Sequence, residues 1–88
     1  MPDQDPGPPA PRIMVSRHAQ IVLTERRLPL ETVLAVVADP DSVMAGPVLT
    51  WSRKRLPGPS DRVICVVHRR ERDDIVIVTA LYERGATP

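Results

Sequence analysis

Phenylalanine is absent from the 88 residues, Trp51 and Tyr82 are the only aromatics, and lysine occurs once against eleven arginines. A core without phenylalanine must be aliphatic, and 24 Val, Ile and Leu residues are available to build it. That is enough for one small domain and excludes a chain with two cores. The single cysteine, Cys65, excludes an internal disulfide, and its apolar surroundings in sequence make it a small hydrophobe in a reducing, cytoplasmic setting. No window approaches the ~18 apolar residues of a membrane span, and no basic start followed by an apolar run marks an export signal. With only four glycines there is no phosphate loop, dinucleotide fingerprint or nucleophile elbow, so no cofactor is expected. His18 and His68, fifty residues apart with one buried thiol between them, form no metal-ligand cluster, so no metal is expected either.

What is present divides into a tail, a helical half and a strand half. Residues 1–11, MPDQDPGPPAP, hold five of the eleven prolines and no apolar residue larger than Met1, so 1–13 read as a disordered proline-rich tail, and Met14 is a candidate start because everything with a folding pattern follows it. Residues 14–84 read as a single domain and 85–88 as a disordered C-terminus. Ser16 is an N-cap for a helix over 17–27, with Ala19, Val22, Leu23 and Arg26 on one face. Leu28-Pro29 breaks that helix, and Pro29 opens a second one in which Leu30, Val33, Leu34 and Val37 recur at helical spacing until Asp39-Pro40-Asp41 ends it.

The period then changes to that of strands. Ser42 to Met44 is a short strand, Gly46-Pro47 a turn, Val48 to Arg53 a second strand, and residues 56–61 a loop. The runs RVICVVH (62–68) and IVIVTALY (75–82) form an antiparallel hairpin. Pairing Arg69 with Asp74 collects Val63, Cys65, Val67, Val76, Val78 and Ala80 on one face, expected to receive the helices. Ile64, Val66, Ile75, Ile77 and Leu81 then lie on an opposite face too apolar to stay bare, which points to a protein partner or a homodimer through the sheet face.

The formal charge is only +1, yet between Thr50 and Arg70 six basic residues stand against the single acid Asp61. Arg53, Lys54, Arg55 and Arg69 are therefore candidates for tracking an RNA backbone, with Trp51 as a stacking platform, unless the charged face is simply solvated. Metal-independent RNA cleavage needs a proton acceptor, a proton donor and a cation at the phosphate. His18, His68, Tyr82 and the arginines are the available parts; Arg26, on an apolar stripe, has the best case among the arginines, while His68, at a strand end beside a charged turn, is expected to be solvent-exposed.

Ser16-Arg17-His18-Ala19, Glu25-Arg26, Asp39-Pro40-Asp41 and Val78-Thr79-Ala80-Leu81-Tyr82 together resemble a small prokaryotic family of unknown function that is itself similar to the RelE-like toxins of toxin–antitoxin pairs. The resemblance spans residues 16–82. It implies an α+β fold with two N-terminal helices on a three- to four-stranded antiparallel sheet, RelE-like. It further implies an endoribonuclease acting on RNA or at the ribosome, held inactive by an antitoxin. The matching positions make His18, Arg26, Thr79 and Tyr82 the catalytic candidates. The alternative is a non-catalytic protein-interaction module on the same scaffold, since a fold alone grants no reaction.

Overall fold

The computed structural model describes residues 12–57 and 62–84. Most of the N-terminal tail, the tip of the 56–61 loop and the C-terminal residues 85–88 lie outside the described residues. Elements follow one another as β1 (Ile13–Val15), α1 (Arg17–Glu25), α2 (Leu30–Ala38), β2 (Ser42–Ala45), β3 (Leu49–Arg55), β4 (Arg62–Glu71) and β5 (Asp74–Arg84).

The two helices lie where their patterns predict. Ser16 accepts a hydrogen bond from the Ala19 N–H at 3.1 Å, which satisfies one of the free donors of the first turn of α1. The other end closes with paired backbone bonds, Arg27 N–H to Thr24 and Leu28 N–H to Leu23, while Arg27 adopts a left-handed φ of 53°. This turn places Leu28 against Leu23, both in the core, and lets Pro29 start α2 immediately. Ala19, Leu23, Val33 and Val36 are the buried positions on the two helices that join the main core.

The sheet departs from the antiparallel, three- to four-stranded RelE-like arrangement that the resemblance implies. It has five strands in the order β1-β5-β4-β3-β2, and β1 runs parallel to β5 while every other pair is antiparallel. β1 has no counterpart in the sequence reading, because three residues carry no measurable period and their partner, Ile75 to Ile77, lies at the far end of the chain. The order explains the layers. α1 and α2 carry the chain from one sheet edge to the other across a single face, α1 over β5 and α2 over β4 and β3, and the β2-to-β5 meander brings it back.

The hairpin register also corrects the expected faces. β4 and β5 turn at Glu71 and Asp74, with Arg72 in the left-handed region (φ 59°), two residues farther along β4 than the Arg69 pairing supposes. The ladder then shifts between Val67 and His68, so that His68 faces Ile77 while Val67 faces Thr79 and Val78 is the extra residue. Past this bulge the alternation of β5 inverts, and Ala80 and Tyr82 join Ile75 and Ile77 on one face. That face, with Ile64 and Val66 of β4, is the one the helices cover. The side expected to be bare is thus the main core, and the larger Ile and Tyr side chains fill the helix interface.

No described helix covers the opposite face, yet Val63, Cys65, Val67 and Val76 on it are buried. Part of the cover is an ion pair that spans the central strand. Arg53 of β3 donates through Nε to Glu83 Oε1 of β5 at 2.8 Å and through Nη2 to Oε2 at 3.3 Å. The register sets Arg53 beside Cys65 and Glu83 beside Val63, so the bridged side chains pass over these two residues of β4.

Candidate functional site

The sequence candidates fall in three places. Arg26 caps the C-terminal end of α1, is exposed, and donates through Nη1 to the Ala80 carbonyl oxygen of β5. Tyr82, two residues farther along β5 and thus about 7 Å on, lies half-buried on the same face, with the Arg62 guanidinium 4.6 Å from its ring centroid. Arg26 and Tyr82 therefore share one end of the molecule. His18 is exposed in the first turn of α1, eight positions and about 12 Å of helix away from Arg26. Thr79 pairs with Val67 and points to the face away from the helices, so the sheet separates it from Tyr82.

The four basic residues assigned to RNA do not form one stripe. β-Alternation puts Arg53, Arg55 and Arg69 on the open face and Lys54 on the helix-covered face. Their charges are also engaged within the chain. Arg53 holds Glu83, Lys54 lies 3.5 Å from Asp39 and 3.8 Å from Asp41 while donating to the Asp39 carbonyl, and Arg69 pairs with Glu71 at 2.8 Å. The Arg55 backbone N–H donates to Asp41 Oδ2 at 2.8 Å. The local excess of +5 between Thr50 and Arg70 is offset by acids from outside that window, Asp39, Asp41, Glu71 and Glu83.

His68 is not a solvated strand end. It is partly buried on the helix-covered face, where Nε2 shares a 2.8 Å hydrogen bond with the Ser52 hydroxyl, and burial holds its pKa below the ordinary 6.5. Ser52 is almost fully buried, so this Ser–His pair satisfies a polar position beneath the helical layer and offers no nucleophile to a ligand. The Cys65 thiol is likewise pushed up by burial, which keeps it protonated and inert. Among the described residues no group of three His, Cys, Asp or Glu stands close enough to hold a metal ion, and no helix is long and apolar enough to cross a membrane.

A feature the sequence reading missed is the contrast between the two sheet edges. On one side β1 covers β5 only as far as Ile77, and beyond it α1 takes over. The Ser16 N–H donates to the Ile77 carbonyl at 3.0 Å, the Ser16 hydroxyl to Val78 at 3.4 Å, and Arg26 to Ala80. Arg26 is in this respect an edge plug. On the other side β2 is the terminal strand, and no described residue pairs with its outer edge. Its neighbourhood is apolar and open, with Val43, Met44 and Val48 exposed by 56%, 55% and 69%. One signal was available: residues 42–52, SVMAGPVLTWS, contain no charged side chain in a chain that is 26% charged. Edge strands are commonly protected by a charge, a proline or a bulge, and β2 itself has none of these.

Compared with protein-family models, curated proteins and solved structures, the chain matches none of them.

Proposed function

We propose that this chain is a non-catalytic protein-interaction module that binds by adding a strand to the outer edge of β2. The carrying observation is the unequal treatment of the two sides of the sheet: Ser16 and Arg26 close the part of β5 that β1 leaves uncovered, and β1 itself is three residues long with its Val15 carbonyl taken by Gln20, whereas β2 is neutral, apolar and unpaired among the described residues. Strand addition draws its affinity from main-chain hydrogen bonds and its selectivity from alternate side chains, and β2 offers both. Dispersal of His18, Arg26, Thr79 and Tyr82 over two faces and two helix ends also fits a module better than an enzyme. A proton carrier must reach its proton within about 3 Å or through one water.

A second reading is metal-independent RNA cleavage by the toxin of a toxin–antitoxin pair. It is favoured by the Arg62 guanidinium lying 4.6 Å from the Tyr82 ring centroid, with Arg26 anchored two residues away at the Ala80 carbonyl, so that a cation and a phenol stand together at one end of the sheet. Incubating the purified chain with transcripts and with translating ribosomes separates the two. The module leaves both intact. Cleavage that disappears in Tyr82→Phe, with the circular dichroism spectrum retained, would overturn the module in favour of the nuclease.

A further inference from the structure

We infer that the strand β2 takes up is the β2 of a second copy of this chain, in an antiparallel two-fold pairing centred on Met44; the inference rests on the edge-binding reading above. The backbone groups of β2 that face outward decide what it can pair with. In an antiparallel ladder, residues alternate between pointing their N–H and C=O at the neighbour and pointing them away. The Gly46 N–H donates to the Leu49 carbonyl at 2.7 Å, so Gly46 is a bonded position, and counting back by twos makes Met44 and Ser42 bonded to β3 as well. Val43 and Ala45 therefore present their N–H and C=O groups to the open edge.

Few symmetric registers use these groups. Pairing Val43 with Val43 of the second copy sets Ala45 opposite Asp41, whose N–H is already given to the Arg53 carbonyl at 2.8 Å. Pairing Ala45 with Ala45 sets Val43 opposite Pro47, which has no N–H. Pairing Val43 with Ala45 engages both outward residues of both copies and leaves none of these donors or acceptors unmatched. The same register is sterically apt: bulky Val43 lies opposite small Ala45, and the two Met44 side chains meet across the axis beside Trp51, their own cross-strand neighbour.

Charge agrees with a like partner. No charged residue lies between Asp41 and Arg53, so a second copy meets no like charge along the shared edge. The two Asp41 residues, six positions apart in this register, stand about 20 Å from each other, beyond the ~8 Å screening length of physiological salt. Residues on one face pair only with residues on the same face, so the two helical layers continue on one side of a ten-stranded sheet.

Sedimentation across a range of concentrations, with disulfide trapping at the axis, tests this. A non-bonded antiparallel pair holds its Cα atoms about 4.5 Å apart, within the range a disulfide spans. The expected result is a dimer that Met44→Cys traps covalently under mild oxidation, while Val48→Cys and the intact chain with its buried Cys65 do not. Ala45→Pro removes one outward N–H per copy without touching the bonds to β3. It should weaken the dimer about tenfold or more with the fold retained. A monomer at every concentration, a dimer that ignores Ala45→Pro, or a Met44→Cys dimer that is not trapped would overturn the second copy as the occupant. RNA cleavage by the same samples is scored separately: a trapped dimer that also cleaves would retain this pairing and remove the module reading.

Discussion

Arg26 is the residue on which the two functional readings differ most, and its structural worth can be worked out. Its guanidinium holds the Ala80 carbonyl on the stretch of β5 that β1 does not reach, and it sits at the C-terminal end of α1, where a positive charge is favourable. A hydrogen bond from a charged donor contributes ~1.5–3 kcal/mol, and the exposure of Arg26 puts it at the lower end. The helix-end charge adds ~0.3–1 kcal/mol. Arg26→Ala should therefore cost about 2 kcal/mol. In a domain of roughly 70 residues the whole stability is only about 3.5–10 kcal/mol. The corresponding fall in Tm is roughly 8–16 °C. Arg26→Lys keeps the helix-end charge but loses the planar fork, so it should recover part of the loss. Urea titrations followed by circular dichroism measure all three proteins. If Arg26→Ala moves the midpoint by less than the equivalent of about 0.5 kcal/mol, the edge-plug argument fails. If it also abolishes an effect on RNA, Arg26 is a phosphate clamp.

Ile77→Lys places a charge in the core beneath the helices, so it should unfold the domain outright, a loss above ~4 kcal/mol, and a folded, more soluble variant would show that the faces are assigned wrongly. Burial sets the folded His68 pKa below its ordinary 6.5, so the unfolded chain takes its proton first. Stability should be full above about pH 6.5, fall with pH below that, and reach its full loss once the pH passes beneath the folded value. Urea midpoints measured across that window should lose this slope in His68→Gln, and a slope that persists would assign it to other groups. Glu83→Ala removes the ion pair that crosses β4, so Cys65 should react faster with a thiol reagent in the folded protein, whereas an unchanged rate would mean that other groups cover the thiol.

The helices were legible because their signals are local. Ser16 caps, apolar residues recur within each helix, and Leu28-Pro29 separates the two, all within a dozen residues of one another. The meander strands were legible for a similar reason, since β-branched runs and turn residues alternate along residues 42–82. The motif residues were equally visible as types, but a motif states chemistry and not position. Arg26 reaches the Ala80 carbonyl, two residues from Tyr82 along β5, while Thr79 lies on the opposite face from Tyr82.

The tertiary structure decided everything that depends on pairing between distant segments. β1 is a strand only because Ile75, Val76 and Ile77, some sixty residues later, supply its partner. Which residues of β5 share a face with Ile64 and Val66 depends on a single extra residue, Val78, whereas the two-residue shift of the turn to Glu71 and Asp74 is even and moves no side chain across the sheet. A strand's side chains alternate with period two, so one inserted residue reverses every assignment beyond it. The edge pattern is of the same kind. Whether a run such as Ser42–Ala45 is central or terminal is set by the order in which strands assemble, and the sequence of the run itself records only that no charge was placed there to protect it.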